Sequence, residues 1–158
     1  MARKPAAPLP IDAPQRRRLP PLLRRAWYGL NQAFRRRIAH LKITPDQFTV
    51  LRILLESDRQ GITQRQLTQL MSSDPNTVAS LLERMEKAGL LRRKPHEQDR
   101  RAYRITTHAE GVQRYQQARA IAVNLQTEVL SILPASKREE FLKHLGQVAD
   151  AITGINGL

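Results

Sequence analysis

The sequence predicts a mainly α fold with one small β-hairpin, and three observations carry that prediction. Apolar residues recur at spacings of three and four over long stretches near both ends of the chain, the mark of one-sided helices. Four Ser/Thr-x-x-Glu/Gln signals, beginning at Thr44, Thr63, Thr107 and Ser136, announce helix starts. After Gly89 the pattern shortens to two extended runs, Leu90 to Lys94 and Ala102 to Thr106, joined by a charged loop.

Residues 1–19 read as a flexible basic and proline-rich tail. Pro5, Pro8, Pro10 and Pro14 keep it from building a packed face, and Arg16, Arg17 and Arg18 make its end positive. Two readings stay open for it, a solvated tail and an arm lying on DNA. Residues 20–43 form the first helical unit. From Pro20 to Leu41, Leu23, Trp27, Leu30, Phe34, Ile38 and Leu41 make one seam, with Arg24, Arg25, Arg35 and Arg36 on the outer side. Trp27 reads as a core or interface anchor.

Residues 44–106 hold the centre of the chain. Thr44, Pro45 and Gln47 open a helix that Phe48, Leu51, Ile53, Leu54 and Leu55 carry to about Ser57. Ile62, Leu67, Leu70 and Met71 are assigned to a short second helix, with Thr63 to Gln66 as its capping box. Ser72-Ser73-Asp74-Pro75 breaks that helix. Val78, Leu81, Leu82 and Met85 then fall at i, i+3, i+4 and i+7, one face of a third. Helix, turn, helix and basic hairpin is the layout of a winged DNA-binding module.

Residues 107–158 return to helix. Thr107 to Glu110 opens a long one reaching about Leu133, striped by Val112, Tyr115, Ala118, Ala122, Leu125, Val129 and Ile132. Pro134 stops it. Ser136 to Glu139 starts the last, with Phe141, Leu142, Leu145, Val148, Ala149 and Ile152 on one side. The full expectation is a winged helix-turn-helix flanked by N- and C-terminal dimerisation helices. These flanking stripes are too apolar to stand in water, so a symmetric dimer is expected.

Bulk composition narrows the chemistry. The 158 residues suffice for a core, and 41% hydrophobic content is that of a folded protein, not a disordered one. Twenty-seven basic against 14 acidic side chains give a formal +13, and the charge is clustered, which points to a polyanion as partner. Aromatics at 4% are too few for a sheet of base-stacking rings. No cysteine is present, which removes disulfides, thiolate chemistry and thiol-based sensing. His40, His96, His108 and His144 are dispersed without an i, i+4 pair, so no metal and no cofactor is expected. No apolar run is long enough to span a bilayer, and the N-terminus lacks a signal-peptide core; a cytoplasmic, nucleoid-associated protein is expected. Neither a nucleophile–base spacing nor a glycine-rich phosphate loop argues for an enzyme.

The third helix of the centre is the candidate reader. Asp74 caps it, leaving a positive dipole end suited to phosphate. With its apolar face inward, Asn76, Ser80, Glu83 and Lys87 turn outward, and Thr77 and Arg84 flank them. Asn, Ser, Thr and Arg hydrogen-bond base edges and phosphates; an ordinary solvated face fits the same pattern. The hairpin weighs toward DNA. Its arms carry Arg92, Arg93 and Lys94, and its tip His96 to Arg101, where Asp99 is placed to hold Arg101 in position.

From about Leu41 to Gly111 the chain resembles the MarR family of bacterial transcription regulators. The residues that carry the resemblance are ITPDQFTVLRIL, SSDPNTVASLLERMEKAGLLRR and DRRAYRITTHAEG with its Asp-x-Arg. The resemblance implies a dimeric winged helix-turn-helix repressor on a pseudopalindromic double-stranded operator. It places Asn76, Thr77, Ser80 and Arg84 in the major groove and Arg101 in the minor groove steadied by Asp99; Arg100, its neighbour in the basic wing tip, is a further candidate DNA contact. It makes the first and last two helices a dimer interface. For many members it also implies release by a small phenolic or anionic effector, in a pocket near which Trp27, Arg24, Arg25 and His40 would stand by position. The alternative is an architectural nucleic-acid-binding protein using the same charges without sequence preference.

Overall fold

The structure, a computed structural model, describes residues 16–57, 59–98 and 102–155. Helix α1 (Leu19–Ile38) begins on Pro20 and Pro21 and runs into a 3-10 turn, Ala39–Leu41. Proline suits a first helical turn because its missing N–H has no partner to lose there. Helix α2 (Pro45–Glu56) follows, opened by the expected capping box. Thr44 Oγ1 accepts from the Gln47 N–H at 3.2 Å and Gln47 Oε1 accepts from the Thr44 N–H at 2.9 Å. Strand β1 (Ile62–Thr63), helix α3 (Gln64–Leu70) and helix α4 (Pro75–Lys87) come next, then strands β2 (Leu91–Pro95) and β3 (Tyr103–Thr107). Helices α5 (Ala109–Leu130) and α6 (Ala135–Ile155) close the chain.

The three strands form one antiparallel sheet in the order β1-β3-β2. Ile105 is central, facing Ile62 on one side and Arg93 on the other. Around it lie Val50, Leu51, Leu67, Val78, Leu82, Met85, Leu90 and Leu91, all buried. Each such side chain removed from water contributes about 1.5–3 kcal/mol. This core binds α2, α3, α4 and the sheet into one lobe. A ladder of rings joins α1 and α5 to it. Phe34 meets Phe48 edge-on at 5.0 Å, and Phe48 stacks on Tyr115 at 5.4 Å.

Four local expectations need correction. Ile62 is a strand residue, not a helical one, because it pairs with Ile105 and Gly61 turns the chain at φ 89°. Met71 is the C-cap of α3 and not part of the helix, which ends at Leu70. The box at Thr107 does not form: Thr107 ends β3 opposite Leu91, and His108 is the cap of α5 without a side-chain bond. Ser136 lies inside α6, one residue past its start, so it cannot cap it. The strands also sit one residue later than expected, and α5 ends at Leu130, short of Leu133.

The outer helices are only partly engaged. On α1, Phe34 and Ile38 are buried, while Trp27 is 64% exposed. On α5, Tyr115, Ala118 and Leu125 are buried, while Val129, and Ile132 just past the helix end, are exposed. No residue of α6 is buried. Its apolar side, Phe141, Leu145 and Ile152, faces solvent in the single chain.

Candidate nucleic-acid interface

Helix α4 is placed by its apolar face. Val78, Leu81, Leu82 and Met85 are buried, so the period leaves Asn76, Thr77, Ser80 and Arg84 exposed together. Asn76, Ser80 and Arg84 stand four residues apart, about 6 Å per step along the axis. The Arg84 guanidinium has no ion-pair partner among the described residues. Glu83, the acidic member of this face, accepts from Lys87 Nζ at 2.7 Å, which holds its carboxyl below the usual range. The pair offsets the repulsion a lone carboxylate would exert on phosphate.

The N-terminus of α4 is less open than expected. Asp74 Oδ1 accepts the Thr77 N–H at 2.9 Å, and hydrogen bonds from Thr77, side chain first and then backbone, lower the Asp74 pKa. The cap therefore occupies part of the dipole end and brings a negative charge to it. A phosphate approaching α4 meets the Asn76–Arg84 strip more favourably than the helix end.

The wing is braced from below. Arg93 Nε donates to Glu86 Oε2 at 2.7 Å, its Nη2 reaches the same oxygen, and the Arg93 N–H donates to Oε1 at 3.1 Å. Hydrogen bonding by Arg93 holds the Glu86 carboxyl below its usual range. This ties the last turn of α4 to β2. Arg104 does the same higher up, donating to Glu97 Oε2 at 2.8 Å and to the Gly61 carbonyl at 3.1 Å. Arg92 Nε donates to Thr106 Oγ1 across the hairpin at 3.3 Å.

Arg93 was expected as a phosphate arm, and that expectation is corrected. Its guanidinium is spent on Glu86. Arg92 and Lys94 remain exposed on the arms. Asp99, Arg100 and Arg101, the wing-tip residues of the sequence reading, lie outside the described residues, as does the tail from 1 to 15. The sequence reading missed Glu86, Glu97 and Arg104. The signal was present in both pairs, an opposite charge seven residues away across a turn, but only the turn from α4 into β2 for Glu86 and the hairpin for Glu97 make that spacing a contact.

A groove of about 670 Å³ opens between α3, the start of α4 and the wing. Arg65, Thr68, Gln69, Pro75, Arg93 and Tyr103 border it. Arg24, Arg25, Trp27 and His40 do not line this groove, and all four are exposed. Among the described residues no group of three or more His, Cys, Asp and Glu could hold a metal ion. None of the described helices is long and apolar enough to cross a membrane.

Three comparisons bear on this arrangement. The model of the MarR family matches residues 43–103. The transcriptional regulator HosA of Escherichia coli is 31% identical over 127 residues, covering 77% of this chain and 93% of that protein. Solved structures share the fold. The M. tuberculosis transcriptional regulator MOSR in complex with DNA is 28% identical with TM-score 0.67, over 83% of this chain and 95% of that one. The S. aureus MepR–DNA complex is 22% identical with TM-score 0.76, over 82% and 95%.

Proposed function

The chain belongs to the MarR family, and on that premise we propose that it is a homodimeric, sequence-specific DNA-binding transcription repressor released by a small-molecule ligand. The observation that carries the reading is the exposed Asn76–Arg84 strip of α4 beside a wing braced through Glu86 and Arg93. In this reading residues 44–106 hold DNA, while residues 20–43 and 107–158 pair the subunits. Asn76, Thr77 and Ser80 read base edges and Arg84 takes a base or phosphate. Arg100 and Arg101 supply the wing-tip contact, with Asp99 orienting Arg101.

The exposed apolar sides of α1, α5 and α6 support the dimer, since in water each costs free energy until a second copy covers it. Two readers at fixed spacing then match a pseudopalindromic duplex. Repression is the simplest output, because a bound dimer blocks the promoter by occupancy alone. A phenolic or small anionic ligand that changes the spacing of the two readers would release it. Such a regulator works where the DNA is, in the cytoplasm at the nucleoid. The regulator names of the relatives favour this reading over an architectural protein, and over an enzyme.

Selection of bound sequences from random duplex DNA tests it. The expected result is an enriched pair of inverted half-sites about one helical turn apart. Adding a simple phenolic carboxylate should weaken binding to the enriched duplex. Retention of random sequence with no enrichment would overturn the regulator reading.

A further inference from the structure

The positive charge of this chain is not where the reader is. Residues 13–45 hold eight arginines and Lys42 and no acidic residue, so they carry +9 of the formal +13. Residues 46–158, which include α4, the wing, α5 and α6, hold 16 basic and 13 acidic side chains, a net +3. The remaining +1 comes from Arg3 and Lys4 against Asp12.

On α1 that charge is sorted by the helical period. At ~100° per residue, Arg24 and Arg35 fall in one line and Arg25 and Arg36 in the next. The two arginine pairs are about 16 Å apart along the axis. All four are exposed, and none has an ion-pair partner among the described residues. Arg37, off the stripe, is spent on Glu128 at 2.7 Å. Phe34 and Ile38 point a neighbouring side of the helix into the lobe, with Arg24 and Arg35 at its edge and Arg25 and Arg36 farther round, and α1 packs on α2 and α5 while α4 packs on α3 and β2. The stripe thus lies off the elements that carry the reader.

We propose that the Arg24–Arg25–Arg35–Arg36 stripe is a second phosphate-backbone site, which holds a separate segment of duplex DNA while α4 and the wing hold the first. Guanidinium groups bind phosphate oxygens in pairs, and arginine dominates lysine here eight to one. Asn31 and Gln32, between the arginine pairs, add hydrogen-bonding side chains, and the exposed Tyr28 shares the face with its hydroxyl. An anionic bilayer is the poorer occupant, because a helix lying on a membrane inserts its apolar seam, and on α1 Phe34 and Ile38 of that seam are buried in the lobe while Trp27 and Leu30 are on the side that the proposed dimer covers. With contacts on each arginine, one protomer linked to two segments would bring distant DNA together.

The test uses the full chain, a tethered duplex of any bound sequence and a second, fluorescent duplex of random sequence. Wild type should capture the second duplex from the tethered complex. Four phosphate contacts predict a slope near −3.6 in log affinity against log salt, which is about a 150-fold loss from 50 to 200 mM. The quadruple variant R24Q/R25Q/R35Q/R36Q should lose capture while holding the tethered duplex within about twofold, and the matching lysine variant should keep most of it. Unchanged capture by the glutamine variant overturns the proposal. So does failure of wild type to capture, capture of phosphatidylserine vesicles in place of the duplex, or dissociation of the dimer by the glutamine variant, which would assign the arginines to a partner's carboxylates. A lack of sequence preference in the tethered duplex would sink the regulator reading and leave this measurement standing.

Discussion

At the scale of single residues, Glu86 shows how a reader and a wing become one surface. Its carboxylate takes three hydrogen bonds from Arg93 and so fixes where β2 leaves α4. The pair is about one-third exposed, so its contribution to stability is modest, about 0.5–1 kcal/mol. Its larger effect is on aim. Glu86→Gln should leave the fold intact, lower duplex affinity several-fold, and leave sequence preference unchanged, measured by binding to the preferred and a scrambled duplex. A pH arm follows with its sign. The folded carboxyl is lowered by Arg93, so its stabilisation is present above the ordinary glutamate range and is lost as pH falls through the folded value. Thermal unfolding between pH 5 and pH 3 should therefore fall more steeply in wild type than in the Gln variant; parallel curves would show that Glu86 carries no such linkage. Asn76→Ala addresses reading itself. It should cost about 1–3 kcal/mol on the preferred duplex and little on the scrambled one. An equal loss on both would move Asn76 from base to phosphate.

At the scale of elements, the α4 face and its cap were legible in the sequence because periodicity and the Asp-Pro start are local. The same holds for the boxes at Thr44 and Thr63. The box at Thr107 failed for a non-local reason: pairing with Leu91 keeps Thr107 in β3, and the His108 N–H donates instead to the Leu90 carbonyl at 2.9 Å. Ile62 misled in the same way, since two residues of strand have no period of their own and exist only through Ile105. Two variants test how elements are set. Asp74→Ala removes the cap of α4 and should cost about 0.5–2 kcal/mol in denaturant unfolding, with a matching loss in DNA binding if the first turn of α4 frays. Gly111 seats α5 on the lobe. A Cβ there would strike the Leu90 carbonyl and lie 2.9 Å from Leu51 Cδ2. Gly111→Ala should cost about 1–3 kcal/mol by overpacking, and an unchanged melting curve would mean that α5 can slide to make room.

At the scale of the whole molecule, a total hides position. The net +13 pointed to a polyanion, yet most of it sits on and before α1, and only a count by segment places it there. The flanking stripes were legible as apolar, but their partner was not, because one chain leaves Trp27, Ile132, Phe141, Leu145 and Ile152 in water. A second copy burying them in an interface of the obligate class, above about 2,000 Å², would remove that cost. The reading makes a separable prediction, since α6 contributes no residue to the buried core of the lobe. Phe141→Asp with Leu145→Asp should turn a micromolar dimer into a folded monomer by sedimentation, with the α4 lobe still unfolding cooperatively. Affinity for a duplex with both half-sites should then fall by about 10²-fold or more, because joining two readers is worth that much through effective concentration alone. Affinity for a single half-site should stay within about twofold, the margin expected when no new contact is lost. A variant that stays dimeric, or a monomer that still holds the double site at wild-type affinity, would break the link between these helices and the spacing of the two readers.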